Sequence, residues 1–140
     1  MPTDVVSLQG RSILVCDVDE TILEMLTDVF SEEGATVTQA QGGQESLNAL
    51  RTGRFDLVIQ ALVLPDVDGW DVLSFLRSRR PELVNRLVLM TGYTYDPYTI
   101  RRIERLNLPA LYKPFDLDEI RNVAHETLYS AERTQRRTAA

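Results

Sequence analysis

Along this chain, short continuous apolar runs alternate with stretches in which apolar residues return every three or four positions. The runs are Ile13 to Cys16, Ala35 to Ala40, Asp56 to Ala61, Arg86 to Met90 and Ala110 to Tyr112. Runs of this length predict strands, and unbroken apolar ones predict strands covered on both faces, as in a parallel sheet. Between them, Ile22, Met25, Leu26, Val29 and Phe30 fall on one helical stripe. Thr21 with Glu24 fits a capping box ahead of that stripe, and Gly34 supplies its stop. Gln44 to Thr52 is a weaker helix through Leu47 and Leu50, and Trp70 to Ser78 follows through Val72, Leu73 and Leu76. Asp96-Pro97 opens a helix whose inner stripe is Ile100, Ile103 and Leu106. Asp116 with Glu119 opens the last, carrying Leu117, Ile120, Val123 and Leu128.

Five strands alternating with five helices predict an α/β fold: a five-stranded parallel sheet, doubly wound, with right-handed crossovers. The strand order 2-1-3-4-5 is one of two common solutions for such a sheet. Residues 1–10 mix polar and apolar positions without a period and read as a leader; residues 11–130 hold the domain; residues 131–140 read as a flexible tail or linker stub.

Composition narrows the class. The chain has 140 residues, 44% hydrophobic and 26% charged, enough for one globular core. No apolar run approaches the roughly 20 residues of a membrane span, and the N-terminus lacks the pattern of a signal peptide, so a cytoplasmic protein without membrane insertion is expected. Cys16, the one cysteine, sits inside an apolar run and reads as a small buried hydrophobe, not a reactive thiol or metal ligand. A net charge of -6 argues against direct nucleic-acid binding. The arginine clusters Arg77-Arg79-Arg80, Arg101-Arg102-Arg105 and Arg133-Arg136-Arg137 read as solvated helix ends and a solvated tail.

In open α/β sheets the site lies at the carboxyl ends of the strands, here Asp17 to Glu20, Ala61 to Gly69, Thr91-Gly92 and Lys113-Pro114. Four motifs in order carry a family likeness. They are Ile13-Leu14-Val15-Cys16-Asp17, the run from Asp56 through Ala61 into Leu64-Pro65-Asp66-Val67-Asp68-Gly69, then Met90-Thr91-Gly92, and Lys113-Pro114-Phe115. From about Arg11 to Tyr129 the chain resembles the response-regulator receiver domains, and in flavour those of hybrid histidine kinases. The resemblance implies a flavodoxin-like, CheY-like fold and a role in two-component or phosphorelay signalling, with protein partners: a histidine kinase and an attached or separate output domain. A working receiver gathers three carboxylates around Mg²⁺, beside a Lys and a Ser/Thr hydroxyl. Carried over residue by residue, Asp17 is the first acid, Val18 stands at the second, and Ala61 stands where the phosphoacceptor Asp belongs. Thr91 and Lys113 match the hydroxyl and the ammonium, and the Lys113-Pro114 bond is cis in the family.

Two of three acids are therefore missing. Three carboxylates and one Lys sum to about -2, a cluster strained until a cation arrives, whereas Asp17 and Lys113 sum to zero. An ion pair between Asp17 and Lys113, weak or absent Mg²⁺ binding and no phosphoryl transfer are expected, so the chain is not read as an enzyme. Asp19 substitutes as a metal ligand only if the loop bends, because side chains alternate along a strand. The family's readout aromatic, three places before the Lys, is Ala110 here; Tyr93 and Tyr112 are near in sequence but out of place. His125 resembles a kinase phosphoacceptor but lacks the expected Pro, and reads as solvent-facing. Gly42-Gly43 reads as a tight turn more readily than as an anion cradle, and Trp70 as a helix-start packing residue.

The leading reading is a pseudo-receiver that acts through protein contacts on the face of the last two helices and fifth strand, with Ile100, Arg101, Arg102, Arg105, Ala110 and Tyr112, and with a homodimer through that face as one form. Two alternatives stand beside it. The chain is an engineered inactive form of an ordinary receiver, against which Val18 argues, or its vacated pocket takes a small ligand such as a nucleotide second messenger.

Overall fold

The computed structural model describes residues 6–92 and 96–139; Tyr93 lies outside them. The strands are β1 (Ser12–Cys16), β2 (Thr36–Ala40), β3 (Leu57–Ala61), β4 (Leu87–Thr91) and β5 (Ala110–Tyr112), all parallel, in the order β2-β1-β3-β4-β5. The helices are α1 (Glu20–Glu32), α2 (Gly43–Thr52), α3 (Gly69–Arg79), α4 (Pro97–Leu106) and α5 (Leu117–Ala139). A 3₁₀ helix over Pro81–Arg86, not foreseen from the pattern, joins α3 to β4. Right-handed crossovers in this order put α1 and α5 on one face and α2, α3 and α4 on the other. The alternation of the sequence is thus the alternation of the fold, with ends shifted by one or two residues except at the C-terminal end of α5.

The middle strands carry the core. Ile13 to Cys16 in β1 and every residue of β3 and β4 are buried, as a sheet covered on both faces requires. The edge strand β2 leaves Thr36, Thr38 and Gln39 exposed. Leu23, Leu26, Val29 and Phe30 bury α1's inner stripe, and Val72, Leu73 and Leu76 that of α3.

Several expectations are corrected. Helix α1 is capped by Asp19, whose Oδ1 accepts the Thr21 amide at 2.9 Å, because the helix opens at Glu20 and leaves Thr21 inside its first turn. Leu117 is 43% exposed and belongs to no core stripe. The leader docks from Val6 onward: Leu8 is fully buried and Val6 packs against the core. His125 is half-buried and helps to hold it, with Nδ1 2.6 Å from the Val6 carbonyl oxygen and Nε2 2.8 Å from Glu33 Oε1. Residues 131–139 continue α5 rather than fray. Ala131 is buried, Glu132 pairs with Arg11, and Gln135 Oε1 accepts from Arg86 Nη2 at 3.1 Å, so polar side chains extend the helix past the end of its apolar stripe.

Ending the chain at Ser130 should therefore cost stability. Losing a buried Ala and a part-buried ion pair is expected to cost about 1–2 kcal/mol in urea unfolding; a truncated chain as stable as the whole one would show that the extension is not anchored.

Candidate functional site

The crevice at the carboxyl ends of β1, β3, β4 and β5 is built by register. Ala61 is paired with Met90 and Thr91 with Tyr112, so these strands end nearly level. Asp17 follows β1, its amide bonded to the Ala40 carbonyl at 3.1 Å; Lys113 follows β5, its amide bonded to the Thr91 carbonyl at 3.1 Å. Asp17 is 2% exposed. Its Oδ2 lies 2.7 Å from Lys113 Nζ, so the anticipated ion pair is present, and its Oδ1 accepts the Asp19 amide at 3.0 Å. Thr91 and Ala61 are buried in the same row of strand ends. The Lys113-Pro114 peptide bond is cis.

At Val18 and Ala61, the positions that would complete an acid cluster, the side chains are apolar. Ala61 offers a methyl group, and the loops after β1 and β3 present Val18, 47% exposed, and Val63 to solvent. Asp19, the one substitute carboxylate considered, is committed to the α1 cap. Mg²⁺ prefers six oxygen ligands in near-octahedral array. One buried carboxylate already neutralised by an ammonium does not fit that need, and among the described residues no three metal-binding side chains converge.

The loop beyond β3 closes the crevice from the side. Asp66 accepts the amides of Gly43 at 2.9 Å and Gln44 at 3.0 Å, so the N-terminus of α2 holds the chain's own carboxylate. These backbone hydrogen bonds hold the Asp66 carboxyl down at about 2. Gly43 is required by this approach, since a Cβ there would meet the Val67 carbonyl oxygen at 1.8 Å. At Gly69 a Cβ would meet the Ala61 carbonyl oxygen at 2.4 Å, which explains the glycine closing the third-strand motif.

Directly before Ala61 lies a buried polar link missed in the sequence. Gln60 accepts from Ser46 Oγ at 2.6 Å and donates through Nε2 to the Ala61 carbonyl at 3.0 Å, tying α2 to β3. Its one signal was a Gln inside an otherwise apolar strand. Cys16, on the neighbouring strand, is fully buried, and burial pushes its thiol up to about 11, the state of a packing residue.

The expected partner face divides in two. Ala110 and Tyr112 of β5, with Ile103, Glu104, Leu108 and Ala131, line a cleft of about 730 Å³ between α4 and α5. Arg101, Arg102 and Arg105 do not line it. They are exposed on another side of α4, and Arg102 stacks over the Trp70 ring of α3 at 3.9 Å, which gives Trp70 its packing role. Ile100 is half-buried.

Comparison with known proteins agrees with this architecture. The profile of the response regulator receiver domain matches residues 13–125. The chain is 30% identical over 121 residues to sporulation initiation phosphotransferase F of Bacillus subtilis (strain 168), covering 86% of this chain and 96% of that one. It is 29% identical over 123 residues to the DNA-binding transcriptional regulator NtrC of Azospirillum brasilense, covering 88% of this chain but 25% of that protein. Among solved structures, the receiver domain of the Francisella response regulator 1452 superposes with a TM-score of 0.72 at 26% identity, over 89% of this chain and 99% of that one.

Two outcomes follow from the site. Lys113→Met strands a buried carboxylate and is expected to cost about 3–5 kcal/mol, while Asp17→Asn with Lys113→Met together should cost less than the sum of the single changes; additive losses in denaturant titrations would show that the two groups do not interact. Asp66 gives a pH signature. Its folded value, about 2, lies below the ordinary 3.8, so its contribution is complete above about pH 4 and fades as pH falls toward 2. Asp66→Asn should thus be less stable than the parent at neutral pH, with the gap closing in acid; a gap independent of pH would refute the cap.

Proposed function

The chain belongs to the response regulator receiver domain family, and from that premise we propose that it signals without accepting phosphate. The carrying observation is Ala61 at the strand end where the acceptor belongs, beside an Asp17 already neutralised by Lys113 at 2.7 Å. An acyl phosphate needs a carboxylate oxygen as nucleophile, and a methyl group supplies none. The phosphoryl charge would normally be balanced by the metal and the Lys; here Lys113 is engaged, and the position of the second metal-binding acid holds Val18. No chemistry of its own is assigned to the chain.

What the frame retains is a surface. Receiver domains interact with histidine kinases and output domains, and the α4–β5–α5 cleft is the place where this chain offers depth to a protein partner. Ala110 supports that reading, because a small side chain at the position of the family's aromatic leaves room in the cleft for a partner's apolar anchor. Val18 speaks against an engineered loss of function, since removing the acceptor alone would have sufficed.

Intact-protein mass spectrometry after incubation with Mg²⁺ and acetyl phosphate tests the reading beside the Val18→Asp/Ala61→Asp double variant. The chain should gain nothing and the double variant one phosphoryl group. Labelling of the chain itself would overturn the proposal and point to Asp17 or Asp66 as acceptor; an unlabelled double variant would show that more than these two positions has been lost.

A further inference from the structure

Away from the crevice, charge is sorted onto two helices in a way that folding does not require. On α1, Glu20, Glu24, Asp28 and Glu32 follow one another at intervals of four and are all exposed. Residues at that spacing are neighbours on a helix, so like charges there repel. The chain sets little against them: Arg121 lies 3.9 Å from Glu32, Gln41 Nε2 lies 3.5 Å from Glu20 Oε1, and the Glu24 and Asp28 side chains have no hydrogen bond or ion pair among the described residues. Glu24, Asp28 and Glu32 rim a groove of about 360 Å³ between α1 and α5, whose apolar lining is Met25, Val29 and Leu117. That groove is where Leu117 spends its exposure.

Helix α4 carries the opposite arrangement. Tyr98, Arg101 and Arg105 recur at steps of three and four and share one outward side of the helix. Tyr98 is 82% exposed, the most of any large apolar or aromatic residue described, and Arg101 and Arg105 have no partner among the described residues. Arg102 is set apart from them by its stack on Trp70. Because α4 and α1 cover opposite faces of the sheet, these two surfaces cannot meet within one chain.

We propose that they meet between chains, with α4 of one copy lying along the α1–α5 groove of the next. Arg101 and Arg105, one turn apart, then face carboxylates that are also one turn apart, while Tyr98 covers Leu117. This is the helix-in-groove mode of recognition, an apolar contact flanked by complementary charge. The two surfaces differ, so the contact is heterologous and generates a string or ring of subunits instead of a closed two-fold pair. Exposed ion pairs are individually weak and screened by salt, so the association is weak, concentration-dependent and strongest at low ionic strength. It uses the outer side of α4 and leaves the α4–β5–α5 cleft free, so it stands independently of the proposed function.

Sedimentation velocity on the full chain tests it, with Arg101→Glu/Arg105→Glu and Glu24→Arg/Asp28→Arg as charge-reversed variants. The parent should form concentration-dependent oligomers at low salt and return to monomer at about 0.5 M salt, where the screening length is only a few ångströms. Each variant alone should associate roughly tenfold or more weakly. Their equimolar mixture should associate again, since every reversed stripe finds a partner of opposite sign. A parent that stays monomeric at millimolar concentration and low salt overturns the proposal, and that arm depends on no variant. So does self-association retained by either variant alone, or a mixture that stays monomeric although both variants unfold at the parent's temperature.

Discussion

A carboxylate buried at the end of a strand must have a positive partner, and in this chain that need is met by one lysine. Asp17 and Lys113 sit on the loops after β1 and β5, the first and last strands in sequence, with β3 and β4 between them in the sheet. Their 2.7 Å contact joins the two ends of the crevice across the row that holds Ala61 and Thr91. In a low-dielectric setting an isolated charge costs far more than a matched pair. With Val18 and Ala61 in place of further acids, the pair closes on itself and is neutral without a cation. A receiver whose three acids repel one another is poised to take up metal and phosphate; this crevice has no such charge to discharge.

The same self-sufficiency recurs around it. The N-terminus of α2, a natural anion site, is occupied by Asp66 from 22 residues further along. Gln60 and Ser46 satisfy one another under Ala61, and Asp19 is consumed by the cap of α1. Asp17, Asp66 and Asp19 have each found an internal partner. The carboxylates around the crevice therefore serve the fold's own cohesion.

How much of this was legible depended on the range of the interaction. Periodicity is local, and it located the five strands and the first four α-helices to within a residue or two, and the start of α5 but not its end; the strand ends followed from topology, so Asp17, Ala61, Thr91 and Lys113 could be placed in one crevice from the sequence. The misses share a cause. Glu132 and Gln135 extend α5 because Arg11 and Arg86 reach them, and His125 is drawn inward by Val6 and Glu33, partners about fifty to 120 residues away in sequence. No window of sequence contains such pairs. The division of the arginines from the α4–α5 cleft was hidden for another reason: the stripe Ile100, Ile103, Leu106 fixes the inner side of α4, yet not which flank turns toward β5.

Helix α4 is where these threads converge. It buries one residue fully, Ile103, where α1 buries four, and it leads into the shortest strand of the sheet, β5, only three residues long. Elements with little buried apolar surface sit at the low end of local stability. The Arg102–Trp70 stack is the lateral tie that holds α4 to α3, and the cleft beside Ala110 lies along its opposite flank. Anything that fills that cleft, or draws on the outer arginines, acts on the helix that the core restrains least. Binding energy delivered at α4 is thus a means by which one partner can alter what another meets.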